Sequence, residues 1–268
     1  HVVTSRLLGT KSNEKLSRIN IHRVGKIRTY QANAHIVSIF SLITFIYKAI
    51  KVGSSLNPEI VDGGNFICHF IAKKISQTNK IPVVYWYPDV FIGQWIKTSG
   101  FISGIFGWIL EKYNLHTNPN YFISISNQTT KKLINNHVNS KIIKTIPCGV
   151  ESGEFKQKFR KETPPVIICI SRLVPYKNIT DLIWAFAILT KKNIECSLKI
   201  VGTGSEEKKL KNIISMLKLK KSILFYKNLP RKALLKLIQA STILCSTSSV
   251  EGFGINVIEA AASGVPYI

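Results

Sequence analysis

The sequence predicts an α/β protein of two doubly wound domains facing each other across a cleft. Three observations lead there. The chain has 268 residues, 45% of them apolar, enough for two buried cores rather than one. Short apolar runs alternate with segments of helical periodicity, a pattern that requires parallel sheets with right-handed crossovers and helices on both faces. A charged segment closed by Thr-Pro-Pro, residues 151–165, separates two such series, so the domains are expected at 1–155 and 156–268.

In the first half the candidate strands are 2–4, 19–24, 60–62, 83–85, 121–125 and 142–145, and helices fit 34–52, 66–77, 102–113 and 128–136. The most apolar stretch, 35–52, carries Ser38, Ser41, Thr44 and Lys48. It is shorter than the roughly 20 apolar residues a membrane span needs, so it reads as a buried or surface-lying helix. The second half is cleaner. Residues 166–170 form a continuous apolar run of the kind buried on both faces of a parallel sheet. Leu182, Ile183, Ala185, Phe186 and Leu189 recur at helical spacing over 181–191, with Thr180 as N-cap. Strand 198–201, helix 206–217, strand 223–226, helix 231–240 opened by Pro230, strand 243–246 and helix 255–262 complete the series. The chain opens at His1 within a strand and closes at 264–268 as another begins, so both ends read as truncated.

There are 37 Lys and Arg against 14 Asp and Glu, a formal charge of +23. Such a surplus attracts polyanions: nucleic acid, an anionic membrane or phosphorylated small molecules. Solvated lysines on ordinary faces account for it equally well. The basic residues are spread out, with no zinc-finger, RNA-recognition or basic-zipper block, so nucleic acid is not expected as a partner. Cys68, Cys148, Cys169, Cys196 and Cys245 stand far apart without a C-x-x-C pair, which argues against a metal site and a disulfide framework and fits a reducing cytoplasm. Cys169 and Cys245 sit in apolar runs and are expected in the core. The six histidines show no ligand spacing, and no metal is expected.

The chemistry concentrates in residues 250–260, Val-Glu-Gly-Phe-Gly-Ile-Asn-Val-Ile-Glu-Ala, which leave a strand and open a helix. Gly252 and Gly254 let backbone N–H groups approach a ligand closely, and the helix N-terminus adds orphan N–H groups and a positive dipole end suited to phosphate. Glu251 precedes the helix and Glu259 lies inside it. Both are expected at one cleft rim, where carboxylates accept from sugar or ribose hydroxyls. Gly202 and Gly204 alone suggest a dinucleotide fold, but Glu207 takes the third glycine position of G-x-G-x-x-G, and no acidic residue ends a strand about 20 residues on.

This segment resembles the E-x7-E signature of the retaining GT-B glycosyltransferases of family 4, the group 1 glycosyl transferases. Further stretches stand in that family's order. Residues 171–178, Ser-Arg-Leu-Val-Pro-Tyr-Lys-Asn, are similar to its S-R-L…K-[GN] turn. Residues 201–207 resemble its V-G-x-G turn, and Gly264-Val-Pro266 its G-x-P after the helix. The likeness covers about residues 166–268. Tyr87-Pro-Asp89, Ile146-Pro-Cys148 and Phe253-Gly-Ile255 are locally similar to dolichol-pathway α-1,2-mannosyltransferases.

The resemblance implies a GT-B fold of two Rossmann-like domains, the first for the acceptor and the second for the donor. It implies retaining transfer of a hexose, mannose or glucose, from a GDP- or UDP-sugar to a glycan or lipid-linked glycan. Arg172 and Lys177 are implied to hold the donor diphosphate, as an Arg fork and a Lys point charge at a strand end suit a leaving pyrophosphate. Glu251 and the amides of Gly252, Phe253 and Gly254, with Ile255, are implied to bind the transferred sugar and phosphates. Glu259 is implied to bind the ribose, and Gly202 and Gly204 to line the nucleotide side. No cofactor is implied. The leaving diphosphate can take the acceptor's proton on the same face, and a covalent intermediate is the other route.

The first domain departs from the family at one place. Many relatives carry a His after the strand corresponding to 83–85, and here Trp86 takes that position in Val-Val-Tyr-Trp-Tyr-Pro-Asp, residues 83–89. Either Asp89, the catalytic candidate, or a backbone carbonyl does the positioning, or Trp86 is a core aromatic. A catalytically inactive relative that binds a nucleotide sugar or glycan is the alternative this substitution allows. The aromatics of 85–108 (Tyr85, Trp86, Tyr87, Phe91, Trp95, Phe101, Phe106 and Trp108) either fill the core or, with the positive charge, face an anionic membrane surface. The second reading places the enzyme on the cytoplasmic membrane face, with a polyprenyl-linked glycan as acceptor.

Overall fold

The computed structural model describes residues 1–28, 39–155 and 159–268; residues 34–38 of the expected helix 34–52 lie outside it. The chain divides into two compact units, His1–Pro147 and Cys148–Ile268. The expected boundary at 155/156 gives way to this earlier one, because the charged segment is bonded to the second unit. Phe155 packs into that unit's core, Glu154 pairs with Arg231, the Glu162 N–H donates to the Ala240 carbonyl, and Glu162 pairs with Lys199 at 2.5 Å.

The first unit contains β1 (Val2–Leu7), β2 (Asn13–Leu16), β3 (Ile19–Arg28), α1 (Ile39–Ser55), β4 (Val61–Gly63), α2 (Phe66–Asn79), β5 (Val83–Tyr87), α3 (Trp95–Ser99), α4 (Phe101–Leu115), β6 (Tyr121–Ser124), α5 (Asn127–Asn135) and β7 (Ile143–Thr145). Strands β4-β5-β6-β7 form a parallel sheet in that order, and β1-β3-β2 form a second, mixed sheet in which β1 is parallel to β3. β2 is antiparallel to β3, a hairpin that simple strand–helix alternation did not foresee. Caps set the helix starts as expected from their residue types: Asn65 accepts from the Cys68 N–H ahead of α2, and Ser126 from the Thr129 N–H ahead of α5. On β5, Val83, Tyr85 and Tyr87 point into the core with Phe122 and Leu133, while Val84 and Trp86 take the other face. α1 lies at the surface: Phe45 and Ala49 are buried, and Phe40, Ile43 and Tyr47 are exposed.

The second unit contains β8 (Val166–Ile170), α6 (Ile179–Lys191), β9 (Ser197–Val201), α7 (Glu207–Met216), β10 (Ile223–Tyr226), α8 (Arg231–Ala240), β11 (Ile243–Leu244) and α9 (Ile255–Ala262). Its parallel sheet has the order β10-β9-β8-β11. The closing residues extend it: Tyr267 bridges Leu244 in parallel. One core, with Leu182, Ile183, Phe186, Leu198, Ile200 and Leu210, covers one face, and another, with Ile168, Leu235, Ile238, Leu244 and Ala260, covers the other. The sheet is therefore buried on both sides, which explains its continuous apolar strands. The chain runs outward from β8 through β9 and β10, then returns to the opposite side of β8 for β11. The carboxyl ends of β8 and β11 mark the switch point at which doubly wound sheets bind ligands.

Candidate functional site

Both charged motifs emerge at that switch point. β8 ends at Ile170, and the chain passes Ser171–Val174 and a single 3-10 turn, Pro175–Lys177, before α6. Asn178, at φ 49°, sits at the α6 N-cap position without a side-chain cap bond, so the expected cap at Thr180 is not formed. The 3-10 turn carries the chain two residues further toward the helix than periodicity indicated.

The loop after β11 is fastened onto this turn. Thr247 Oγ1 donates to the Lys177 carbonyl at 2.9 Å, and Asn178 Nδ2 donates to the Thr247 carbonyl at 3.2 Å. Ser249 donates to the Tyr176 carbonyl through both its backbone N–H and its hydroxyl, each at 3.0 Å. Asn256 Nδ2, in the first turn of α9, donates to the Ile170 carbonyl at 2.9 Å. Sequence reasoning missed Tyr176, Thr247, Ser249 and Asn256 as positioning residues. The Ser/Thr run 246–249 after a strand was the available signal, because such hydroxyls bond to local backbone.

These bonds bring Lys177 and Glu251 together. Lys177 Nζ donates to Glu251 Oε2 at 2.5 Å and to the Val250 carbonyl at 3.4 Å. Lys177 is buried and Glu251 exposed. Arg172 is exposed; it donates to the Tyr176 hydroxyl, and its guanidinium lies 5.7 Å from the Tyr176 ring centroid. Gly254, at φ 82°, precedes α9, a conformation that glycine adopts without strain. Of the opening N–H groups of α9, that of Val257 donates to the Gly254 carbonyl at 2.9 Å and to Asn256 Oδ1 at 3.0 Å, which leaves those of Ile255 and Asn256 without an acceptor in the helix. Two cations and a helix N-terminus at one sheet switch point are groups whose charge suits a dianion. Gly252 and Phe253 are half-buried in this turn and Ile255 is exposed. Burial pushes the nearby Cys169 thiol up to about 12, so it stays protonated within the core.

The other implied residues are placed differently. Glu259 is buried in α9 and accepts from Arg231, whose guanidinium also binds Glu154 Oε2 at 2.7 Å. Those two carboxylates hold the Arg231 pKa above its ordinary value. Glu251 and Glu259, expected at one rim, thus pair with two different cations. Arg231 was missed, since nothing in its local sequence marks it. A Cβ on Gly202 would stand 1.9 Å from the Ser171 carbonyl oxygen, and one on Gly204 2.2 Å from that of Leu173. Both glycines are required by the close passage of the loop that carries Arg172.

In the first unit, Asp89 is buried after β5. Its Oδ1 accepts from the Val90 N–H at 2.8 Å and from Lys132 Nζ at 2.7 Å, while Oδ2 has no partner among the described residues. Trp86 is half-buried on β5, and its carbonyl is 3.0 Å from His69 Nε2. His69 is fully buried between the rings of Tyr85 and Tyr87, at 4.6 and 4.7 Å, and burial lowers its pKa to about 4. Glu111 is fully buried as well. It accepts from Trp95 Nε1 at 2.6 Å and the Phe91 N–H at 3.0 Å, and burial raises its pKa to about 7.

Residues 151–268 match the model of a family described as glycosyl transferases group 1. The match spans nearly the whole of the second unit. A Haemophilus influenzae protein named as an uncharacterized glycosyltransferase is 35% identical over 114 residues, 42% of this chain and 31% of that protein. A GDP-mannose-dependent α-(1-6)-phosphatidylinositol monomannoside mannosyltransferase of Mycolicibacterium smegmatis is 29% identical over 146 residues, 48% of this chain and 38% of that protein. The chain therefore aligns with about a third of the length of these relatives. Sucrose-phosphate synthase of Thermosynechococcus elongatus superposes with a TM-score of 0.81 at 17% identity, over 99% of this chain and 69% of that one. Anabaena HepE, solved with UDP and glucose, gives a TM-score of 0.69 at 18% identity, over 90% of this chain and 66% of that one. The fold is thus GT-B, with a Rossmann-like unit on either side of the division.

Proposed function

We propose that this chain is part of a retaining glycosyltransferase that moves a hexose, mannose or glucose, from a GDP- or UDP-sugar onto a glycan or polyprenyl-linked glycan at the cytoplasmic face of a membrane. The observation that carries the reading is the pairing of Lys177 with Glu251 at the switch point, 2.5 Å apart and beside the N-terminus of α9. Arg172, Lys177 and the amides of Gly252, Phe253 and Gly254 hold the diphosphate and take up its charge as it leaves, without a metal ion. Glu251 orients the sugar. Glu259, steadied by Arg231, meets the ribose. Asp89 orients the acceptor from the first unit. The names of the relatives support nucleotide-sugar donors of both bases and, for the mycobacterial enzyme, a lipid-borne acceptor.

Trp86, at the position where many relatives carry a His, favours the second reading: a relative that binds a nucleotide sugar without transferring it. Proton NMR on the complete protein with GDP-mannose, UDP-glucose and a membrane extract separates the two. Sugar transfer with the donor's α configuration retained supports the enzyme. Donor binding with no product supports the binding protein. Inversion at the anomeric carbon contradicts the retaining assignment.

A further inference from the structure

Helix α4 is inside out. Its buried side is formed by Gly104, Gly107, Glu111 and Asn114, positions that share one helical face, with a single apolar side chain, Leu115, buried at its end. Its outer side carries Phe101, Ile102, Phe106, Trp108, Ile109 and Tyr113, between 41% and 83% exposed. A helix against a protein core normally shows the reverse. The orientation is locked. A Cβ on Gly107 would stand 2.4 Å from a Trp95 ring carbon, and one on Gly104 2.7 Å from the Ile96 Cα. Glu111 is bonded to Trp95 and Phe91, and Asn114 Nδ2 donates to the Phe66 carbonyl at 2.7 Å. Rotating the aromatics inward would break these bonds and fill space that admits only hydrogen. An apolar face of this extent, fixed toward the outside, marks a surface that meets an apolar medium or partner.

The charges around it select the medium. From residue 90 to residue 119 the sequence has one carboxylate, Glu111, and it faces inward. Lys97 and Lys112 are exposed beside the apolar residues, and Lys112 Nζ lies 4.6 Å from the Trp108 ring centroid. Tyr113 packs on Phe70 at 5.9 Å, with Lys74 against the far ring at 5.7 Å. Aromatic and aliphatic side chains bordered by lysines, with no exposed acid, complement an anionic lipid surface. At 15 residues α4 is too short to span a bilayer, and among the described residues no helix is long and apolar enough to cross one.

We propose that α4 is an interfacial anchor. Phe101, Ile102, Phe106, Trp108 and Ile109 enter the acyl boundary of an anionic bilayer, while Lys97 and Lys112 stay among the headgroups. This deepens the membrane part of the proposed function by naming the element in contact. It does not require that sugar transfer occur, so a failed transferase assay and a failed anchor are read separately.

The test is flotation of the 268-residue chain with vesicles of equal parts phosphatidylcholine and phosphatidylglycerol, and with phosphatidylcholine alone. The wild type floats with the anionic vesicles. The double variant Ile102→Glu, Phe106→Glu loses binding by about tenfold or more, through lost burial and charge repulsion. Ile188→Glu, on the exposed face of α6 in the other unit, binds as the wild type does. Quenching of wild-type tryptophan emission by brominated acyl chains is expected too, and it does not depend on the folding of any variant. No flotation of the wild type, or no quenching, overturns the proposal. So does a double variant that floats as well as the wild type, which would show adsorption by charge alone. A wild-type dimer that the double variant dissolves overturns it as well, by placing a second copy on this face.

Discussion

Lys177 and Glu251, 74 residues apart in sequence, meet at 2.5 Å in an unequal environment: the ammonium is 10% exposed and the carboxylate 41%. Removing either partner therefore has a different consequence. Glu251→Ala leaves the buried cation, among the described residues, the Val250 carbonyl at 3.4 Å and the Tyr176 ring at 5.5 Å. It should lower stability by about 1–3 kcal/mol. Lys177→Met keeps the stem, removes the charge and returns Glu251 to water, so its cost should stay under about 1.5 kcal/mol. Denaturant unfolding of the two variants checks the order, and equal losses would contradict it.

The glycines of the 202–204 turn are expected to be intolerant because of backbone, not ligand. Gly204→Ala places a Cβ 2.2 Å from the Leu173 carbonyl oxygen, whereas a Cβ on Gly149 meets nothing within 4 Å. Gly204→Ala should cost about 3 kcal/mol or more, and Gly149→Ala less than about 0.5 kcal/mol. Thermal unfolding in the absence of any nucleotide is the measurement, since a purely ligand-facing glycine would leave the unliganded stability unchanged.

Arg231 is expected to matter through Glu259. In Arg231→Ala the buried Glu259 carboxylate loses its cation, while Glu154→Ala removes only the exposed partner. Arg231→Ala should be the more destabilising, by about 1–3 kcal/mol relative to the wild type.

Two buried groups give the first unit opposite pH dependences. The Glu111 pKa is raised to about 7 in the folded chain, so its contribution is full below the unfolded value near 4.5 and is lost as pH rises through 7. The His69 pKa is lowered to about 4, so its contribution is full above the unfolded value near 6.5 and is lost as pH falls toward 4. Each is of the order of 3 kcal/mol, and between pH 5 and 6.5 they offset. The wild-type melting temperature should be nearly flat across that window. Glu111→Gln should expose the His69 slope, with stability rising from pH 4 to 6.5, and an unchanged profile would rule the account out.

How much of this was legible in the sequence differs by unit. Strands 166–170 and 223–226 and helices 231–240 and 255–262 end where apolar periodicity ends, because both faces of that sheet are covered. β2 was illegible: Asn13-Glu-Lys-Leu16 is an exposed edge strand held by its pairing with β3 and by the ion pair of Glu14 with Arg23. α4 was legible as a helix but not in its orientation, which depends on Gly104 and Gly107 meeting α3. In the site, Glu251 stood out beside its glycines at the head of a helix, whereas Arg172 and Lys177 were implied by the resemblance of their turn to the group 1 family. Arg231 was not, because its partners lie 28 and 77 residues away and meet it only in the folded unit.

The central claim is that the segments after β8 and β11 form one nucleotide-diphosphate site. A thermal-shift titration with GDP, UDP, GDP-mannose, UDP-glucose and UDP-N-acetylglucosamine, on the wild type and Arg172→Ala, tests it most directly. Arg172 is exposed, and among the described residues its guanidinium bonds Tyr176 alone, so its loss should leave the unliganded melting temperature almost unchanged. One nucleotide series should stabilise the wild type, by about 2.7 kcal/mol at 100 times its dissociation constant, and Arg172→Ala should abolish the shift. Stabilisation that survives Arg172→Ala, or no shift with any of the five ligands in a chain extended to the length of its relatives, would contradict the account.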